Sequence, residues 1–195
     1  MRQLVLASTS PFRRTLLERL GLPFEAAAPV CDEVPPPGLG PRSSALRFAE
    51  EKARSLLPKH PGSLLIGADQ VLELDGAIVR KAETAEDARA ELALLSGKTH
   101  ALHSAIAILD ADDGRLECDH ATTFLKMRAL DRDAIERYVR HEAPIGSAGG
   151  YLYERRGVAL FEEISGSDDS AIIGLPLVVL CRLLRRFGVD PLEGR

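Results

Sequence analysis

The stretch SLLIGAD, residues 63 to 69, decides how the rest of the chain is read. Leu64, Leu65 and Ile66 form an unbroken apolar run, and Gly67, Ala68 and Asp69 close it. That pattern predicts a deeply buried strand. Ligand sites in open α/β sheets gather at the C-terminal ends of such strands. Asp69 therefore stands where a carboxylate can bind a divalent cation or activate water. An aspartate at a strand-to-loop junction is common, so the position alone says little.

Working outward, VLELDGAIV (71–79) predicts a hairpin with Asp75-Gly76 as its two-residue turn. Upstream, QLVLAS (3–8) is a second buried strand. Ser10 follows as an N-cap with Pro11 at the first helical position. Leu16, Leu17 and Leu20 make one helical stripe, ended by Gly21. FEAAAP (24–29) reads as a short strand. CDEVPPPGLGPRSS (31–44), with four prolines and two glycines, reads as a loop. Ser43 or Ser44 would cap the helix ALRFAEEKARSLL (45–57).

Downstream, Thr84 and Asp87 form a variant capping box for TAEDARAELALLSG (84–97). Two long antiparallel strands flank DADDG (110–114). DRDAIERYVRHE (131–142) is an amphipathic helix, and PIGSAGGYLYERRG (144–157) a glycine-rich loop with two aromatics. VALFEEISG (158–166) reads as a strand and LPLVVLCRLLRRFG (175–188) as a final, mostly buried helix. The mixture gives an α/β or α+β class with a mixed sheet.

The chain has 195 residues, 45% hydrophobic and 28% charged, with a net charge of −4. Those values fit one globular domain over 1–195 and argue against a nucleic-acid or anionic-membrane surface. No run reaches membrane-spanning length, and the N-terminal apolar stretch is too short for a signal peptide. Cys31, Cys118 and Cys181 are odd in number and widely spaced, which reads as reduced thiols in a cytoplasmic protein. The five histidines show no metal-ligand spacing, and His100 and His103 are read as structural.

Four groups of residues can carry chemistry. LASTSPFRR (6–14) offers hydroxyls at Ser8, Thr9 and Ser10 beside a helix N-terminus, which attracts phosphate. Arg13 and Arg14 sit in the first turn, where the helix dipole disfavours cations and a bound anion would compensate. Asp32 and Glu33 would hold a cation if they faced Asp69. Lys52 projects close to the apolar face of its helix, either snorkelling or reaching a phosphate. Lys81 is a second cation of this kind.

Taken together, LVLASTSPFRRTLLERLGLPFE, CDE, EEKA, LIGADQV, LDGAIVRK, LSGKTH, YV, AGGY and GLPL occur in order over nearly the whole chain. The set resembles the Maf family of nucleoside triphosphate pyrophosphatases. The resemblance implies an elongated α/β fold, a mixed sheet flanked by helices with a central cleft, similar to the inosine triphosphatases. It also implies hydrolysis of a nucleoside triphosphate to the monophosphate and pyrophosphate with a divalent metal such as Mg, Mn or Co. By position, Asp69 matches the proton acceptor and, with Glu33, the metal-side acids. Ser8, Arg13, Lys52 and Lys81 match phosphate-binding positions. Two departures are plain: Arg80 and Ala82 flank Lys81 where the family often reads Gly-Lys-Pro, and Ser170 stands where relatives often carry asparagine.

Phe12, Gln70 and Glu154 resemble the subgroup acting on 7-methyl-GTP rather than the subgroup acting on dTTP and UTP, which tends to read Asp-Thr where Asp69-Gln70 stands. The chemistry agrees. Methylation at N7 makes guanine cationic, an aromatic face attracts a cation, and a carboxylate accepts from the guanine N1–H and amino group. The expected partner is a nucleotide, with no nucleic acid or membrane, and a homodimer is compatible with the resemblance. A nucleotide-binding regulator of cell division that lacks turnover is the competing class.

Overall fold

The computed structural model of the protein describes residues 2–31, 34, 35, 37–166 and 168–193. Its frame is a seven-stranded sheet. The strands are β1 (Leu4–Ala7), β2 (Phe24–Ala27), β3 (Leu64–Leu74), β4 (Ala77–Val79), β5 (Thr99–Asp110), β6 (Leu116–Met127) and β7 (Phe161–Ser165). They lie in the order β2-β1-β3-β5-β6-β7, with β4 paired to the far end of β3. β1 runs parallel to β2 and β3, and every other pairing is antiparallel. The expected α/β class with a mixed sheet is what forms.

The helices are α1 (Pro11–Glu18), α2 (Pro41–Ser55), α3 (Ala85–Leu95), α4 (Arg132–Glu142), α5 (Ser170–Ile173) and α6 (Leu177–Arg186). Side chains alternate across the sheet, and the two faces collect different helices. Leu4, Leu6, Leu64 and Ile66 pack with α1 and α6, whereas Val5, Ala7, Leu65 and Leu109 pack with α2. A third apolar cluster joins Leu72, Leu102 and Leu125 to α3 and α4.

Several local expectations hold. Ser10 accepts from Arg13 N–H, and Thr84 and Asp87 cap each other reciprocally. Asp75 and Gly76 both have positive φ, 52° and 82°, as the tight hairpin requires. Others change. SLLIGAD is not a separate strand from the hairpin arm: β3 runs unbroken for 11 residues. It outlasts β1, which stops at the Ala7↔Gly67 pair, because β5 supplies its hydrogen bonds as far as Glu73. Helix α2 starts at Pro41 with Gly40 as N-cap, and Ser44 instead donates to the Gly40 carbonyl at 3.0 Å. Val158 to Leu160 belong to a 3-10 turn, so β7 begins only at Phe161. The one-turn helix α5 has no apolar period long enough to announce it. Among the described residues, no helix is long and apolar enough to cross a membrane.

Candidate active site

A cavity of about 430 Å³ opens where β1 ends and β3 continues. Its walls come from the turn between β1 and α1, from Lys52 on α2, from Gln70 on β3, and from residues 145–148 and 151–154. The size is that of a small-molecule site, and its position beyond the end of a parallel strand is the one sheet topology favours.

Gly67 explains how Lys52 arrives there. A Cβ at Gly67 would lie 1.9 Å from the Ala49 carbonyl oxygen and 2.8 Å from Ala53 N. Only glycine lets α2 lie that close to the strand, and Ala45, Ala49 and Ala53 keep the helix face equally slim. Lys52 is thereby laid against β3, and its Nζ donates to Asp69 Oδ1 at 2.6 Å. Both residues are almost wholly buried, at 3% and 2% exposure. The cavity wall itself is Lys52; Asp69 stands behind it.

Asp69 and Gln70, adjacent in sequence, point to opposite faces of the sheet. Gln70 turns toward α5, where its Nε2 is ringed by Ser104 Oγ at 2.9 Å, Ala171 O at 2.8 Å and Ile172 O at 2.9 Å. Three acceptors fix which end of the amide is nitrogen. Ser104, fully buried, donates in turn to Ala171 O at 2.6 Å.

The turn after β1 is internally bonded: Ser8 Oγ accepts from Ser10 N–H at 3.1 Å, and Ser10 Oγ from Arg13 N–H at 3.4 Å. Arg13 lines the cavity and also ties the site together. Its Nε donates to Gly174 O and its Nη1 to Ala68 O, both at 2.9 Å. The guanidinium thus joins α1, β3 and the α5–α6 elbow. Its first-turn position is answered by two protein carbonyls. Gly174 itself has φ 115°, with the Arg13 guanidinium on the side where a Cβ would go.

Lys81, exposed at the rim, is set by an antiparallel bridge to Ala148. Ala82, where the resemblance leads to an expectation of proline, is fully buried, donates to Ser147 O and accepts from Gly146 N–H. Ser170 donates to Asp168 and accepts Leu177 N–H at 2.8 Å, so it caps the start of α6. Phe12 is half-buried on the cavity wall and belongs to none of the three apolar clusters. Glu154 is on the wall too, and burial raises its carboxyl above the usual range against the pull of Arg155. The structure brings Ser8, Phe12, Arg13, Lys52, Gln70, Lys81 and Glu154 to one cavity, with Asp69 behind Lys52. Glu33 lies outside the described residues. Among the described residues, no three His, Cys, Asp or Glu side chains converge as a metal cluster.

Tyr151 and Tyr153 also line the cavity, and sequence reasoning assigned them nothing. The glycine-rich loop advertised two aromatics, yet loop residues have no periodicity that says which way they face. Tyr151 is held from behind by His100, whose Nε2 lies 2.9 Å from the Tyr151 hydroxyl. Burial pulls the His100 pKa down to about 4, so the ring is neutral.

The family described as Maf-like protein, Maf, matches residues 3–187. A 7-methyl-GTP pyrophosphatase from Aromatoleum aromaticum is 44% identical over 187 residues, covering 96% of each chain. Among solved structures, a HAM1 protein from Coxiella burnetii aligns with a TM-score of 0.45 and 18% identity, over 82% of this chain and 91% of that one.

Proposed function

Because the chain belongs to the Maf family, we propose that it hydrolyses nucleoside triphosphates to monophosphate and pyrophosphate, with 7-methyl-GTP as its preferred substrate. The observation that carries the reading is the buried Lys52–Asp69 pair set at the wall of a nucleotide-sized cavity. The relative's activity on 7-methyl-GTP supports the choice of base.

In this reading a water oxygen attacks the α-phosphorus, the bond to the bridging oxygen of the β-phosphate breaks, and pyrophosphate leaves. Asp69 takes the water's proton. Incoming phosphate competes with Asp69 for the Lys52 ammonium and so would loosen that partner's hold on the base. Ser8, Arg13, Lys81 and the α1 N-terminus receive the phosphates and offset their growing charge. Phe12 stacks on the base and Glu154 accepts from it. With Nε2 committed to three protein oxygens, Gln70 is left to accept a hydrogen bond rather than donate one.

A divalent cation belongs to the same reading. Mg²⁺ takes one or two carboxylates and completes its shell with phosphate oxygens and water, a role that Asp69 with Glu33 fits chemically. When bound, the ion would neutralise phosphate charge.

The test is pyrophosphate release from a panel of canonical and methylated nucleoside triphosphates with Mg²⁺, Mn²⁺ or Co²⁺. Preference for 7-methyl-GTP is expected. In Asp69→Asn, turnover should fall at least about a hundredfold while nucleotide affinity persists. Nucleotide binding by wild type without turnover under any of the three metals would favour the regulator class.

A further inference from the structure

His100, near the start of β5, is almost wholly buried, and its Nε2 shares a hydrogen bond of 2.9 Å with the Tyr151 hydroxyl. Among the described residues its other ring nitrogen, Nδ1, is buried without a hydrogen-bond partner. The ring is neutral, so no ion pair offsets that loss. A phenylalanine would fill the place without leaving a nitrogen unpaired. The histidine therefore asks for another reason.

Tyr151 is fastened at several points. Its ring meets that of Phe161 edge to face, with centroids 5.0 Å apart at 78°, and the His100 ring stands 5.7 Å away. A Cβ at Gly149 would lie 2.7 Å from Tyr151 Cε1, so the backbone just upstream lies against the ring. The next residue is tied as well: Leu152 N–H donates to the hydroxyl of Tyr138 on α4 at 2.9 Å. Residues 151–154, held in this way, line the cavity. Leu102, Tyr151 and Ile172 belong to one apolar cluster, and all three are on the cavity wall. Ile172 O accepts from Nε2 of Gln70, the side chain left to accept from the base. Apolar and aromatic walls suit a planar base and offer phosphate nothing.

We propose that Tyr151 recognises the base, its ring walling the part of the cavity where the base lies, and that His100 is a positioning residue that sets this ring through the hydroxyl. The inference rests on the nucleotide reading above and deepens its account of the base. Apolar contact with Phe161 is non-directional, whereas a hydrogen bond of 2.9 Å fixes the pose of the ring. A wall already held in one pose spares the incoming base the cost of ordering it. Loosening that wall weakens the grip on the base and leaves the grip on the phosphates as it was.

The experiment compares wild type, Tyr151→Phe, His100→Phe and the double variant as full chains with the same divalent cation. It measures melting temperature, affinity for 7-methyl-GMP and for inorganic pyrophosphate, and KM and kcat for 7-methyl-GTP. Tyr151→Phe keeps the ring and removes only the bond to His100. Each single variant should bind 7-methyl-GMP about threefold or more weakly and pyrophosphate within about twofold of wild type. KM should rise in step, with kcat within about twofold. The double variant removes both polar partners at once and should melt no lower than the weaker single variant. Its loss of 7-methyl-GMP affinity should match that of a single variant rather than the two combined, since both break one bond. Unchanged 7-methyl-GMP affinity in Tyr151→Phe, an equal loss for pyrophosphate, or wild-type affinity in the double variant overturns the proposal. If His100→Phe does not fold, Tyr151→Phe decides alone. Absent turnover with the expected binding pattern sinks the enzymatic reading and keeps this one; normal turnover without the pattern does the reverse. A wild type that binds no nucleotide overturns both.

Discussion

Phe12 shows how a single residue separates packing from recognition. It lies on the cavity wall and outside every apolar cluster, so truncating it should cost the fold little. A cationic base over its ring would lose about 0.5–2 kcal/mol on Phe12→Ala. The expected outcome is a larger rise in KM for 7-methyl-GTP than for GTP; an equal rise for both would remove Phe12 from base selection. Ser104 gives a complementary test, since it anchors the Gln70 amide without lining the cavity. Ser104→Ala should narrow the preference for 7-methyl-GTP over GTP by about twofold or more, read from the ratio of kcat/KM values. At this scale the sequence was informative where chemistry is borne by residue type. Asp69, Lys52 and Lys81 were legible as charges in telling places. Tyr151 and Ser104 were not, because their meaning lies in what the chain brings up behind them.

Among the elements, the junction of α2 and β3 has the least tolerance. Gly67→Ala would drive a methyl into the Ala49 carbonyl. The helix must then retreat, at a stability cost of at least about 2 kcal/mol, and Lys52 withdraws with it from Asp69. Denaturant titration should show the loss, and turnover should fall further than the unfolded fraction explains. At the start of α3 the effect is purely local: Thr84→Ala removes half of a reciprocal cap and should cost about 1 kcal/mol without changing KM. Periodicity and end signals had marked α1, α3 and α4 because their caps are written in nearby residues. The start of α2 was misread because a serine that looks like a cap sits one turn inside the helix, bonded back to Gly40. The length of β3 escaped because its continuation depends on β5, whose partners lie 28 residues (Glu73↔Ala101) or more away along the chain.

Across the whole molecule, two acids tilt stability with pH in opposite senses. Arg2 clamps Asp110 at the far end of the sheet, and that contact holds the carboxyl at about 2, below its ordinary 3.8. The stability it lends is present above the ordinary value and is lost as pH falls toward the depressed one. Glu91 of α3 works the other way: burial raises its carboxyl from 4.5 to about 7, so folding is favoured below the lower value and weakens as pH rises through the higher one. Denaturation of Asp110→Asn and Glu91→Gln against wild type should show the first gap closing toward acid and the second opening between those two values. A pair of parallel curves would contradict both assignments.

The core that buries β1 has a consequence for synthesis. Leu4 and Leu6 share one apolar cluster with Leu177, Leu180, Leu183 and Leu184 of α6. During synthesis β1 emerges well before α6, so the cluster they share is completed late, and one cavity wall, residues 7–13, waits for the other, residues 145–148 and 151–154. A nascent chain holds an unfinished sheet edge for most of its translation. It gains the full lining of its cleft only once residues as late as Ile173 are free.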